Sequence, residues 1–558
     1  MSTPPRRIRR NRARTACIPC QVRKRKCSGT QPCTICSHLK SDCRYGQAAP
    51  REAAPEHAGG DYSDPNPEPT PHETIRTSSL NMQQRSAEAN SGVAFVRRLG
   101  SNIDPTFTPR SNVLVWNVGL RPFPASMPPV REPIPVPDII SQPEMKFLAA
   151  VYFEKVDPYY SFLDQDKLFS QINHRWLQSS LELPQLDEPC EALLSGVAAL
   201  GSLFSQKNQT TTEHQLAESA RLILEQCMRC YTPTTDLIAA WALRVSYLRL
   251  AGTPHMAWIA SCTLMHLTEA AGFNAEPPHG TVSKDTGQPL DIEAQRRLFG
   301  IARHFNVWIS FELGRSRVTL HNATTKLPAP RANGIRDVFS FLALSENLGP
   351  EKAQDAISLQ QALDDILKID NLRPPMILTQ CNLMLCINRR LHALNSIISG
   401  ALFDRFLVTA QQGLRASQEM AVSHCPWHQV ANVPFQIFCT LLAIDNQASI
   451  TMLPEAMNTL REIAVIYDTD VMREARQVAS MLLKLYQQQK EKNAQALQSV
   501  IEMDTKSYAP HETSTPTPRP DAHAYNDFMF DLPSLQNLND LDTLVMMNDP
   551  GRLFSPQV

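Results

Sequence analysis

Six cysteines between positions 17 and 43 constrain this chain more than any other feature. They run Cys17-x2-Cys20-x6-Cys27-x5-Cys33-x2-Cys36-x6-Cys43, so one C-x2-C-x6-C half is repeated. A segment this short cannot bury a useful apolar core. Its apolar residues are few: Ile18, Val22, Ile35, Leu39 and Tyr45. Thiolates favour soft or borderline metals, and structural zinc takes four ligands in a tetrahedron. One zinc would leave two of the six sulfurs unused, whereas two zincs sharing two sulfurs would use them all. The spacing therefore points to a binuclear cluster. Disulfide pairing suits it poorly, because no secretory signal precedes the cysteines. Iron–sulfur ligation would want a C-x2-C-x2-C run. A zinc module used only for protein contacts stays open.

Charge narrows the reading further. Residues 1–44 hold twelve Lys or Arg against one acid, Asp42, while the whole chain carries 54 basic and 55 acidic residues. Positive charge sits where a phosphate-binding module needs it. The arm 1–16, with Arg6, Arg7, Arg9, Arg10, Arg12 and Arg14, is poor in apolar residues and is expected to be disordered when free. It suits phosphate tracking, minor-groove entry or nuclear import. Arg23-Lys24-Arg25-Lys26 stands beside the thiolates. These cations offset the negative charge left by six thiolates and two Zn2+, and they lower thiol pKa. Phosphate contacts give affinity, but sequence choice needs side chains carried into the major groove on a rigid element.

At every cysteine the pattern resembles the fungal Zn2Cys6 binuclear cluster. That resemblance implies a Zn2Cys6 DNA-binding domain over 17–45, with Zn2+ (two ions) as cofactor. Cys17 and Cys33 would bridge both metals, Cys20 and Cys27 complete one site, and Cys36 and Cys43 the other. Pro32 would shape the loop joining the halves. A short helix would begin near the second cysteine and aim Arg23 and Lys24 at the bases, with Lys24 as the base reader. Lys26 would support the backbone contact, and Arg25 and Arg14 complete the candidate DNA contacts. Gln21 departs from the Arg that many members carry there. The implied target is double-stranded DNA with G/C-rich half-sites resembling CGG. The implied location is the nucleus.

Composition divides the rest. Residues 46–144 are rich in Pro, Ser, Asn and Glu and read as a disordered linker, with proline runs over 64–71 and 122–143 and an apolar island at Val113–Trp116. No sustained heptad pattern follows over 46–90, so a homodimer built through the central domain stays open. Residues 145–490 read as one large all-α domain. Three-to-four spacing predicts helices over 191–205, 214–230, 236–251, 256–271, 291–312, 357–367, 379–396, 402–420, 431–449, 453–466 and 471–490. This stretch resembles the fungal transcription-factor regulatory (middle homology) domain, through Gln295-Arg296-Arg297-Leu298-Phe299-Gly300 and Gly314-Arg315-Ser316. Gly300, Asn306 and Ser316 depart from the family's aromatic, acidic and proline positions. The scattered cysteines read as ordinary buried thiols, and Arg296, Arg297 and Arg315 as carboxylate partners or caps.

No phosphate loop, dinucleotide fingerprint, zinc-protease motif or nucleophile elbow is present, so the chain is expected not to be an enzyme. No apolar run reaches membrane-spanning length. Residues 503–558 form a Pro/Thr-rich linker and an acidic-hydrophobic tail. Six aspartates alternate with Phe528, Phe530, Leu535, Leu538, Leu541 and Leu544, with no Lys or Arg between Pro520 and Gly551. Such composition fits coactivator capture through residues 521–550. A tail helix docked on the central domain is the alternative. The reading is a transcription activator of RNA polymerase II genes. A repressor, an architectural DNA-binding protein and a non-DNA zinc scaffold protein remain as alternatives.

Overall fold

The structure is a computed structural model and describes residues 17, 19–20, 27–28, 30–39, 43, 92–104, 118–121, 127–180, 188–229, 233–278, 291–331, 336–346 and 355–507. The chain divides into two compact units, 1–80 and 81–558. The described secondary structure of both is helical.

In the first unit the core is sulfur. Cys17, Cys20, Cys33, Cys36 and Cys43 are buried, with Cys27 and Ile35 packed against them. The one helix with described bounds is α1, Thr34–His38.

The second unit runs α2 (Gly92–Ile103), α3 (Val136–Ile139), α4 (Gln142–Lys155), α5 (Asp157–Tyr160), α6 (Gln165–Ser180), α7 (Glu188–Ser205), α8 (Thr211–Cys227) and α9 (Thr235–Ala251). It continues α10 (Pro254–Ala270), α11 (Ile292–Leu313), α12 (Phe339–Glu346), α13 (Ala356–Leu367), α14 (Pro374–Ala393), α15 (Gly400–Val422), α16 (His428–Ile444), α17 (Gln447–Ile466) and α18 (Asp470–Ser507). Side-chain caps fix many starts. Thr210, Thr234 and Thr253 accept from the backbone N–H three residues on, at 3.1, 3.3 and 3.3 Å. Asp291 and Asp355 do the same, and Asn446 with Ser449 closes a capping box.

Two layers of packing meet in one core. α7 is buried all round from Glu191 to Phe204 and packs against α4, α8 and α9. Its small residues let backbones approach: a Cβ on Gly201 would lie 2.2 Å from the Leu148 carbonyl oxygen of α4. In the second half α14 and α16 are the buried pair, flanked by α13, α15 and α17. The halves join at an aromatic knot. The Trp427 ring lies 4.8 Å from Tyr159 and 5.2 Å from Phe204.

Each of the eleven segments read from periodicity overlaps a helix, but 431–449 runs across the left-handed Asp445 that ends α16 and into the start of α17. The ends expected from composition differ. α4 starts before 145, and α18 runs past 490 to Ser507. Inside the expected linker 46–144 lie α2 and α3. α2 buries Phe95, Val96 and Leu99 and packs on α16 and α18, so this part of the segment belongs to the core. Its apolar spacing outweighs the composition of its surroundings. The Val113–Trp116 island lies outside the described residues.

Candidate metal centre and nucleic-acid interface

The sulfur cluster is assembled from both halves of the repeat. Sγ of Cys17 lies 3.7 Å from that of Cys33 and 3.6 Å from that of Cys36, and Sγ of Cys20 lies 3.6 Å from that of Cys33. Four sulfurs, those of Cys17, Cys20, Cys33 and Cys36, lie within 4.8 Å of one another. Each of these three contacts crosses between the halves and involves Cys17 or Cys33. Zinc–sulfur bonds of about 2.3 Å in a tetrahedron separate ligand sulfurs by about 3.8 Å, so these spacings fit a zinc thiolate site. Among the described residues no two cysteines form a disulfide.

The backbone supports the sulfurs. Cys33 caps α1, its Sγ accepting from the Cys36 N–H at 3.4 Å. The Cys33 N–H donates to Sγ of Cys43 at 3.2 Å, which ties the last cysteine to the fourth. The Gln31–Pro32 bond is cis, and the Thr34 N–H donates to Ser28 Oγ at 3.0 Å across the joining loop. The Cys33 thiol is lowered to about 6, first by the Cys36 backbone N–H. Burial pushes Cys20 up to about 12 and raises Cys36 as well. A cluster of crowded thiols thus favours one negative charge on Cys33. A cation is what would let Cys20 and Cys36 ionise as well.

Arg14, Arg23, Lys24, Arg25 and Lys26 lie outside the described residues, as does the tail 521–550. Pro19 and Cys20, which precede the run 23–26 in the chain, are helical.

In the second unit a buried ion cluster crosses four helices. Glu312 of α11 accepts from Arg249 of α9 at 2.5 Å and from Asn382 of α14 at 2.7 Å. His428 of α16 reaches it at 3.4 Å. Burial pulls the Glu312 carboxyl upward, but the Arg249 charge and then His428 outweigh it, so it stays ionised well below the usual range. His428 is lowered, first by burial and then by Arg249. His304, ringed by Tyr159, Tyr160, Phe305 and Trp308, is lowered by burial to about 3. Sequence spacing could not find this cluster, because its members come from helices far apart in the chain.

The motif residues fall into place around α11. Arg296 pairs with Glu276, and Arg297 with Glu293 and Asp337. Arg315 instead stacks over Trp258 at 4.7 Å and donates to His255. Gly300 leaves room for Phe339, whose Cε1 would lie 2.8 Å from a Cβ there. Asn306 is buried and holds the Val318 N–H at 2.8 Å. The Cys381 thiol, pushed up to about 12 by burial, donates to the Thr409 carbonyl at 3.2 Å. That is an inert core thiol.

Comparison with known proteins covers both units. Residues 15–52 match the fungal Zn(2)-Cys(6) binuclear cluster domain, and 149–406 match the fungal specific transcription factor domain. Protein RDR1 of Gibberella zeae is 41% identical over 498 residues, covering 88% of this chain and 90% of the relative. Transcription factor kojR of Aspergillus oryzae is 34% identical over 526 residues, covering 93% and 91%. Protein RDR1 of Saccharomyces cerevisiae is 30% identical over 515 residues, covering 88% and 92%.

Proposed function

The chain belongs to the fungal zinc-cluster transcription factors, DNA-binding regulators of the nucleus rather than enzymes, and from that premise we propose that it is a sequence-specific activator holding two Zn2+ in one six-thiolate cluster. The observation that supports the metal reading is the set of cross-half sulfur contacts Cys17–Cys33, Cys17–Cys36 and Cys20–Cys33, in which Cys17 and Cys33 recur. Those two are the ligands proposed to be shared. Cys20 and Cys27 then complete one site, and Cys36 and Cys43 the other. Zinc supplies the folding energy that an apolar core would supply elsewhere.

The basic run following Cys20 is the proposed reading element. Lys24 contacts guanine O6 or N7 in a CGG-like half-site, with Arg23 beside it. Lys26, Arg25 and the arm through Arg14 hold phosphates. Output runs through coactivators captured by 521–550, which acids keep soluble and apolar side chains make adhesive.

Competition binding with the zinc-loaded chain tests this. A CGG-containing duplex should compete far better than a scrambled one, and chelation should abolish both. Lys24→Ala should cost roughly 1–3 kcal/mol on the specific duplex and little on the scrambled one. Equal loss on both would make Lys24 a phosphate contact. Undiminished binding after chelation would remove the zinc-built reader.

A further inference from the structure

The last helix outruns the body it belongs to. α18 buries Val471, Met472, Ala475, Val478, Ala479 and Leu482, and its last buried side chain is Tyr486. From Lys490 through Asp504 every residue is exposed. The projecting part, to Ser507, is about 26 Å long at 1.5 Å per residue. A helix of that length without tertiary packing is marginal in water.

Its surface has two faces. Glu491, Gln495, Gln498 and Glu502 fall together on one side, laced by Gln487 to Glu491 at 2.8 Å and Gln498 to Glu502 at 3.3 Å. Flanking that side is an apolar stripe of Ala494 and Ile501, with Leu497 and Val500 further round. Leu497, Val500 and Ile501 are 67%, 63% and 57% exposed. The stripe is bounded by charges of opposite sign at heptad spacing from Leu497: Lys490 before it and Asp504 after it.

We propose that this stripe is a self-association surface, on which two copies of the chain pair antiparallel about a twofold axis near Leu497. Antiparallel pairing sets Lys490 of each copy beside Asp504 of the other, twice over, as an isologous contact requires. Parallel pairing would stack lysine on lysine and aspartate on aspartate. Lys490 already donates to Asp445 at 2.7 Å and lies over the Tyr486 ring, so the incoming acid joins an anchored cation. Three large apolar residues per copy make a small interface beside the ~800 Å² per partner of a standard one. The pair is therefore weak in solution. It tightens when both reading heads engage one duplex, because the second contact becomes intramolecular.

Sedimentation equilibrium of the full zinc-loaded chain without DNA, up to about 100 μM, tests the pairing. A reversible monomer–dimer equilibrium is expected. Leu497→Lys, at an exposed site, should raise the dissociation constant at least about tenfold by placing a charge at the axis. Gln495→Lys, on the polar face, should leave it unchanged. Asp504→Lys should weaken the dimer by facing Lys490. A monomer at every concentration would overturn the proposal and point to another occupant, such as the chain's own 521–550. A dimer indifferent to Leu497→Lys, or strengthened by Asp504→Lys, would overturn it too. DNA is absent throughout, so the outcome is independent of the reading head.

Discussion

In the proposed two-zinc cluster, single thiols divide into those that serve one site and those that serve two. Cys17 and Cys27 are both thiols of the same cluster, yet Cys17 is within 3.7 Å of sulfurs in the other half. Cys17→Ser is expected to lower zinc content toward none, and Cys27→Ser toward one ion per chain, as metal analysis of the purified proteins would read. His304 offers the opposite case, a group whose value lies in staying neutral. Its pKa falls from 6.5 to about 3 on burial. As pH drops below 6.5 the unfolded chain takes a proton that the folded one refuses, so stability present at neutral pH is lost from there down toward 3. The slope is at most about 1.4 kcal/mol per pH unit for one such group. Glu312 and His428, also lowered, act in the same direction. His304→Phe keeps the ring packing and should flatten the pH dependence of urea unfolding between about 6 and 4 by one proton's worth.

Helices were legible wherever apolar residues recur at three-to-four spacing through a low-proline stretch. The segment 236–251 corresponds to α9 and most of 431–449 to α16, both buried nearly all round. α2 was missed although Val93, Phe95, Val96, Leu99 and Ile103 carry the same spacing, because proline and polar runs on both sides dominate any window averaged over it. Packing settles the matter. Leu99→Ala should destabilise the second unit by about 2–3 kcal/mol if α2 is core, and scarcely at all if it were free linker. The urea midpoint distinguishes the two. The convergence of Cys17, Cys20, Cys33 and Cys36 could be read from spacing alone, since a cysteine repeat encodes its geometry locally. The Arg249–Glu312–Asn382–His428 cluster could not, since nothing local in four helices announces that they converge. The end of α18 was missed for a third reason: past Tyr486 no side chain of it is buried in the body, and its short apolar stripe sits among Gln, Glu and Lys that give the stretch the composition of a linker.

The molecule as a whole joins two units whose stability has different origins. The apolar cluster of the second runs from Phe95 to Tyr486 and needs no ion, while that of the first is sulfur. Output is expected to be separable as well. Residues 521–550 fused to an unrelated DNA-binding domain should activate a reporter. Replacing Phe528, Phe530, Leu541 and Leu544 with alanine should cost more activity than neutralising one aspartate, because apolar contact supplies most of the buried surface. Silence from the fusion would favour a repressor, or activation by the central domain. The sulfur core has a further consequence for how such a regulator fails. On the proposed zinc cluster, withdrawing the metal or oxidising one shared thiolate would leave the body its shape while the address label is erased. A cell short of the metal would then hold a full stock of regulator with nowhere to go, and restoring the ion would return it to work without a round of synthesis.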